Sequence, residues 1–394
     1  MSLSDKLATH VRNLPRSGIR EFFELVLAQD NVISLGVGEP DFVTPWHIRE
    51  AAIHSLEKGQ TSYTSNLGLL ELRKSISRYV QRHFKMEYEA SKEVLVTVGV
   101  SEALDLAFRA LLNPGDEVIY HEPCYVSYNP SIAMAYGVPV TVETHAENDF
   151  ALLASNVEAA ITPRTKIIML NFPTNPTGAM MECSELEKVA ELAIKHDLIV
   201  FTDEIYTELM YDGQATWCSI ATLPGMRERT ILFHGFSKAF AMTGFRLGYA
   251  CAPQELIEAM MKVHQYSMLC APITSQIAGI EALEAGAPSV EEMRKEYMRR
   301  RNLVVRKLNE MGLTCFKPGG AFYVFPDIRS TGMSSRDFAT NLLQEESVAV
   351  VPGTAFGKCG EGFVRCCYAT DPKQLEIAME RMAAFVTRHA AKKA

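Results

Sequence analysis

From Val94 onward, short apolar runs rich in β-branched residues alternate with longer stretches of helical period. The runs are Val94 to Val98, Glu117 to Tyr120, Ile167 to Leu170, Leu198 to Thr202, Thr230 to Phe233 and Gly248 to Cys251. Near-continuous apolar strands separated by helix-length segments predict a mainly parallel sheet covered by helices, an α/β fold. The stretch Ser184 to His196 reads as one of the covering helices. Ser184 and Glu187 have capping-box spacing, and Leu186, Val189, Ala190, Ala193 and Ile194 form one apolar stripe. The pattern breaks at Gly286-Ala287-Pro288-Ser289, after which a highly charged helical stretch runs to about Met311 and strand-like segments become fewer. A second domain is expected there. Its Arg299-Arg300-Arg301 run, flanked by acidic residues and lacking interleaved aromatics, reads as a solvated helix face.

The chain has 394 residues, 47% of them hydrophobic, enough for large cores in two or three domains, of which two fits the pattern best. Against 39 basic residues stand 47 acidic ones, and the formal net charge of −8 argues against a nucleic-acid partner. The nine cysteines show no C-x-x-C spacing, and the neighbours Cys366 and Cys367 point to opposite faces of a strand, so neither a zinc site nor a disulfide framework is expected. The ten histidines form no ligand spacing, and no metal is assigned. Met1 to Leu7 lacks the apolar stretch of a secretory signal, and no apolar run approaches membrane-spanning length. These features lead to the expectation of a reduced, cytoplasmic, soluble protein with no membrane partner.

Candidate chemistry centres on Lys238, in Phe236-Ser237-Lys238-Ala239-Phe240, followed eight residues later by Arg246 in Gly244-Phe245-Arg246-Leu247-Gly248. Asn175-Pro176-Thr177-Gly178 and Asp203-Glu204-Ile205-Tyr206 each follow an apolar run, so the three segments can open onto one sheet edge. A lysine, an anion, phosphate donors and an arginine are what pyridoxal phosphate demands of a protein. Lys238 supplies the amine for an imine and, once freed, a proton shuttle; its pKa must be lowered by desolvation and by nearby charge such as Arg246. Asp203, at a strand end, pairs with the ring nitrogen and keeps it protonated, while Tyr206 and Asn175 hydrogen-bond the phenolic oxygen. Val94 to Ser101 reads as strand, glycine turn and helix start, a cradle of free N–H groups for the phosphate. Arg365 lies in the otherwise apolar Phe363 to Tyr368 run, where a carboxylate partner would satisfy its charge. Taken singly each signal has an ordinary reading: a turn at Asn175, packing at Tyr125, a structural acid beside Arg365. Gly36-Val37-Gly38-Glu39-Pro40 lacks the third glycine of a dinucleotide loop, and Pro40 disfavours the helix such a loop opens.

With those residues in hand, the chain resembles the class I/II aminotransferases, fold-type I pyridoxal-phosphate enzymes, over nearly its whole length. The resemblance runs through Ser17-Gly18-Ile19-Arg20, Ile33 to Phe42, Tyr63-Thr64 with Gly68 and Leu72-Arg73, Asn175 to Gly178, Asp203 to Tyr206, Ser237-Lys238, Arg246 and Gly320-Ala321-Phe322-Tyr323. It implies catalytic roles for Lys238, as the internal aldimine, and for Asp203 and Tyr206. It further implies that Val100, Ser101, Ser237 and Arg246 surround the phosphate, that Asn175 contacts the phenolic oxygen and that Tyr125 stacks on the ring. Arg365, with Gly38 and Asn175, would receive the substrate, and Tyr63 would reach in from a neighbouring subunit of a homodimer. The implied layout is a large cofactor-binding domain over residues 46–285 and a smaller α+β domain formed by 1–45 and 286–394. Two positions depart from the family pattern: Gly235 stands where a phosphate-binding serine is common, and Phe245 replaces a tryptophan. Cys366 and Cys367 also follow Arg365 where a hydroxyl-bearing residue is more usual.

The resulting expectation is ping-pong amino transfer from an L-amino acid to a 2-oxo acid such as 2-oxoglutarate. Ser17 to Arg20 and Val263-His264-Gln265-Tyr266 are similar to broad-specificity aromatic and N-acetyl-diaminopimelate aminotransferases. A carbon–sulfur β-lyase on the same scaffold is the alternative. A transcription regulator with an aminotransferase-like sensor domain is a third reading, disfavoured by the acidic charge and by the lack of room for a DNA-binding module ahead of Ser34.

Overall fold

The computed structural model describes residues 3–14, 26, 31–211 and 217–390. Its strands, in chain order, are β1 (Ile33–Ser34), β2 (Val94–Thr97), β3 (Glu117–Glu122), β4 (Val138–Glu143), β5 (Thr165–Asn171), β6 (Ile199–Asp203), β7 (Thr230–Gly235), β8 (Gly248–Cys251), β9 (Tyr323–Val324), β10 (Val348–Ala349), β11 (Val351–Pro352) and β12 (Val364–Cys367). Seven of them form one sheet in the order β2-β8-β7-β6-β5-β3-β4. Strands β4, β3, β5, β6 and β7 are mutually parallel, and β8 runs antiparallel to both β7 and β2.

Alternation along each strand explains why both faces are covered. Leu95, Ile167, Met169, Phe201, Ile231, Phe233 and Ala250 face one apolar cluster, shared with the helix Gly99–Leu111. The intervening residues Val94, Val96, Leu232 and Tyr249 face a second cluster, and Ile168, Leu170 and Val200 a third. Such strands carry apolar residues on both faces, which made six of the seven runs legible in sequence. Strand β4 was not predicted. It is an edge strand, only its Val142 is buried, and Pro139 with Thr141 interrupts the apolar pattern.

After the long helix Ala287–Glu310, which starts at the predicted break, β9, β11 and β12 form a small antiparallel sheet, and β1 pairs in parallel with β10. A fourth apolar cluster joins these elements to Ile205, Tyr206 and Leu209, so the chain just after β6 packs against the carboxyl-terminal third.

Four expectations are corrected. The helix predicted from Ser184 spans Cys183–Lys195 and its cap residue is Glu182, so Ser184 lies inside the first turn and makes no capping bond. Its buried stripe is Leu186, Val189, Ala190, Leu192 and Ala193, whereas Ile194 is 44% exposed. Of the three arginines expected on a solvated face, Arg300 and Arg301 are only 5% and 1% exposed. Arg300 pairs with Asp41 and Glu296, and Arg301 donates to the Pro318 carbonyl and lies over the Tyr211 ring, because the helix packs this face against the segments at Asp41 and Pro318. Finally, Cys183 and Cys218 form a disulfide across 35 residues of sequence, contrary to the reduced state expected, and the other seven cysteines are free. Only the fold brings that pair together, since neither cysteine has a near neighbour in sequence. Ser17 to Arg20 lie outside the described residues.

Candidate active site

Parallel neighbours β5, β6 and β7 end side by side, so that Asp203, the last residue of β6, and the turns carrying Asn175 after β5 and Ser237-Lys238 after β7 meet at one edge of the sheet. A cavity of about 340 Å³ opens there. Its lining includes Gly38, Val100, Ser101, Tyr125, Asn175, Asp203, Tyr206, Ser237, Lys238, Arg246 and Arg365, so eleven of the twelve residues expected at the site meet in one place. Tyr63 is the exception. It lies outside the cavity of its own chain, 83% exposed.

Lys238 Nζ donates to the Gly38 carbonyl at 2.6 Å, and the rings of Phe322 and Tyr206 lie 5.5 and 5.8 Å from it. Removal from bulk water lowers its pKa to about 8, with Arg365 and Arg246 adding to the shift and Cys367 and Glu39 opposing it. The neutral form of the amine therefore becomes available near pH 8, far below the range of a free lysine. Asp203, the last residue of β6, is buried. Its Oδ2 accepts from the Tyr128 hydroxyl at 2.7 Å and its Oδ1 from the Ile205 N–H at 3.3 Å. Burial raises its pKa to about 6, offset by those two bonds and by His234 and Lys238. A carboxylate held in this way gains from a cation placed against it.

Arg365 lies on β12, 3% exposed. It donates to Asn175 Oδ1 at 2.9 Å and to the Gly36 carbonyl at 2.6 Å, and its guanidinium lies over the rings of Tyr323 and Phe356 at 4.6 and 4.7 Å. All of these are neutral, and its buried Nε has no hydrogen-bond partner among the described residues. A buried guanidinium in that state fits an incoming carboxylate and no structural acid. Tyr206 and Tyr323 share a hydrogen bond of 2.9 Å between hydroxyls, and Tyr125 packs edge-on against Tyr128 at 5.5 Å.

The turn between β2 and the helix Gly99–Leu111 requires glycine twice over: Gly99 has φ +76°, and a Cβ there would sit 2.9 Å from Nη2 of Arg246. The Arg246 guanidinium therefore lies against the turn that opens the helix, donors of the kind that would suit a phosphate. Taken together, a lysine of lowered pKa, a buried anion, a phosphate cradle and an unsatisfied buried arginine fit pyridoxal phosphate and an amino-acid carboxylate. Tyr128, Asn171 and Gly36 were missed from sequence. For Tyr128 a signal existed, because three residues separate it from Tyr125, which puts both phenols on one face of the turn into the helix Tyr128–Met134.

The model of the family "Aminotransferase class I and II" matches residues 30–382. The chain is 54% identical to the Bacillus subtilis protein YugH, over 98% of this chain and 99% of that one. It is 46% identical to an aspartate aminotransferase of Pyrococcus abyssi, over 97% of each. Among solved structures, an aromatic aminotransferase from Pyrococcus horikoshii superposes with a TM-score of 0.89 at 47% identity, covering 94% of this chain and 99% of the other. The match of sequence, fold and length places this chain in the class I and II aminotransferases.

Proposed function

We propose that the protein binds pyridoxal phosphate and moves an amino group from an L-amino acid, aromatic or of broad range, to a 2-oxo acid such as 2-oxoglutarate. The observation that carries the reading is Arg365, a buried guanidinium with only neutral partners, in one cavity with Lys238. When bound, pyridoxal phosphate supplies an aldehyde for amine exchange and a ring that accepts electrons. Val100 and Ser101 N–H groups, Ser237 and Arg246 take the phosphate. Asp203 offers its anion to the ring nitrogen, with Tyr128 fixing the carboxylate. The Tyr206 hydroxyl and the Asn175 amide donate to the phenolic oxygen, and Tyr125 stacks on the ring. Arg365 forks onto the substrate carboxylate beside Gly38, and Lys238 Nζ takes the α-proton as base and returns it as acid.

Support for an aromatic or apolar donor comes from the wall. Among the described residues lining the cavity, the only cations are Lys238, Arg246 and Arg365, and Val37, Leu104, Ile205 and Tyr323 supply apolar and aromatic surface. The two-part layout, 46–285 against 1–45 with 286–394, is proposed as a cofactor domain and a domain that closes over substrate to exclude water. A cytoplasmic homodimer completes the reading, with Tyr63 reaching the partner's phosphate cradle.

The test is a panel of donors with 2-oxoglutarate, followed by glutamate formation. Aromatic and apolar donors are expected to outrun aspartate; aspartate as the strongly preferred donor overturns the specificity. Lys238→Ala is expected to lower turnover on the order of 10⁴-fold or more while the protein stays folded. Near-normal turnover contradicts the mechanism.

A further inference from the structure

The turn that presents Val100 and Ser101 is tied down from behind by a buried pair that the chemistry above does not use. Glu102, the next residue of the helix Gly99–Leu111, folds back so that Oε2 accepts the Val98 N–H at 2.5 Å. Its other oxygen, Oε1, lies 2.7 Å from Nδ1 of His264, a fully buried residue of the helix Gln254–Ser267. The two helices pack together, with Ile257 and Met260 in the same apolar cluster as Ala103, Leu106 and Ala107. A carboxylate only accepts hydrogen bonds, so Nδ1 carries the proton directed at Oε1. Among the described residues His264 Nε2 has no hydrogen-bond partner, which leaves Glu102 as the polar tie of this ring.

Two physical consequences follow for the cradle. The Val98 bond fixes the residue just before Gly99, at the start of the turn whose N–H groups a phosphate would meet. A carboxylate one residue beyond Ser101 also repels a phosphate dianion, and the histidine proton draws that charge away from the cradle.

We infer that His264 is a positioning residue for the phosphate cradle, acting through Glu102 to hold the Val98–Ser101 turn and to turn its negative charge inward. The inference rests on the pyridoxal-phosphate reading above.

The experiment compares the affinity of the apo-protein for pyridoxal phosphate and for pyridoxal, which lacks the phosphate, by absorbance titration, with the apo-protein melting temperature as a check on folding. His264→Leu is expected to weaken pyridoxal phosphate roughly tenfold or more, as for loss of a buried hydrogen bond to a charged group, and to leave pyridoxal unchanged. His264→Asn places an amide N–H where Nδ1 stood and is expected to regain most of the loss. Glu102→Ala, a second route should the leucine variant fail to fold, loses the Val98 tie but also the carboxylate's repulsion of phosphate, and is expected to weaken pyridoxal phosphate less than His264→Leu while leaving pyridoxal unchanged. Equal weakening of both ligands, or of neither, overturns the inference while the proposed function stands. A wild-type protein that binds no pyridoxal phosphate overturns both.

Discussion

Lys238 and Arg365 differ in what burial does to them, and the difference separates their tasks. Burial makes the lysine a weaker acid-holder, with a pKa lowered to about 8, so its neutral, nucleophilic form grows as pH rises. The rate at which apo-protein captures pyridoxal phosphate covalently is therefore expected to increase from pH 7 to pH 9 with a midpoint near 8. A rate flat across that range contradicts the assignment of the amine. An arginine does not lose its proton, so burial leaves Arg365 charged and in need of a partner. Its replacement by alanine is expected to raise KM for donor and acceptor roughly 100-fold, since both carry a carboxylate to the same fork. Lysine at the same position is expected to recover only part of the loss because it cannot form two parallel bonds. A KM change confined to one substrate argues for separate carboxylate sites.

At the level of elements, the site exists because three parallel strands end together and one glycine turn faces them. Gly99 is the sharpest test of that geometry. Gly99→Ala strains a backbone at φ +76° by about 1 kcal/mol and pushes a methyl group against Arg246. The expected outcome is at least tenfold weaker pyridoxal phosphate binding with modest loss of thermal stability, measured by titration and calorimetry. Unchanged affinity would remove the cradle from the account. The same elements show what sequence reveals. Strands buried on both faces announced themselves as apolar runs, and the residues at their ends were found because each followed such a run. Edge strand β4 and the two-residue strands β1, β9, β10 and β11 carry too short or too mixed a pattern to be read. Asn171 and the Cys183–Cys218 pair were hidden for another reason: their partners lie 32 and 35 residues away in the chain. Arg300 and Arg301 misled because a charge run gives no sign of which face of a helix packs.

For the whole molecule, Tyr63 ties the proposed site to a second copy of the chain. Exposed in its own chain and outside the cavity, it has a role at the site only if a second copy brings it there. Sedimentation is expected to give a dimer of about twice the 43.8 kDa chain mass. Tyr63→Phe is expected to weaken pyridoxal phosphate binding several-fold without dissociating that dimer, the cost of one hydrogen bond to a charged group. A monomer of full activity contradicts the shared site. Charge fits the small anionic substrates locally: the chain carries a net −8, whereas the described residues lining the cavity gather Lys238, Arg246 and Arg365 around one buried acid, Asp203.

The most direct measurement is reduction of the protein with borohydride after loading with pyridoxal phosphate, followed by peptide mass mapping. The account predicts one stable pyridoxyl label per chain, on Lys238. A label on any other lysine, or none, contradicts it.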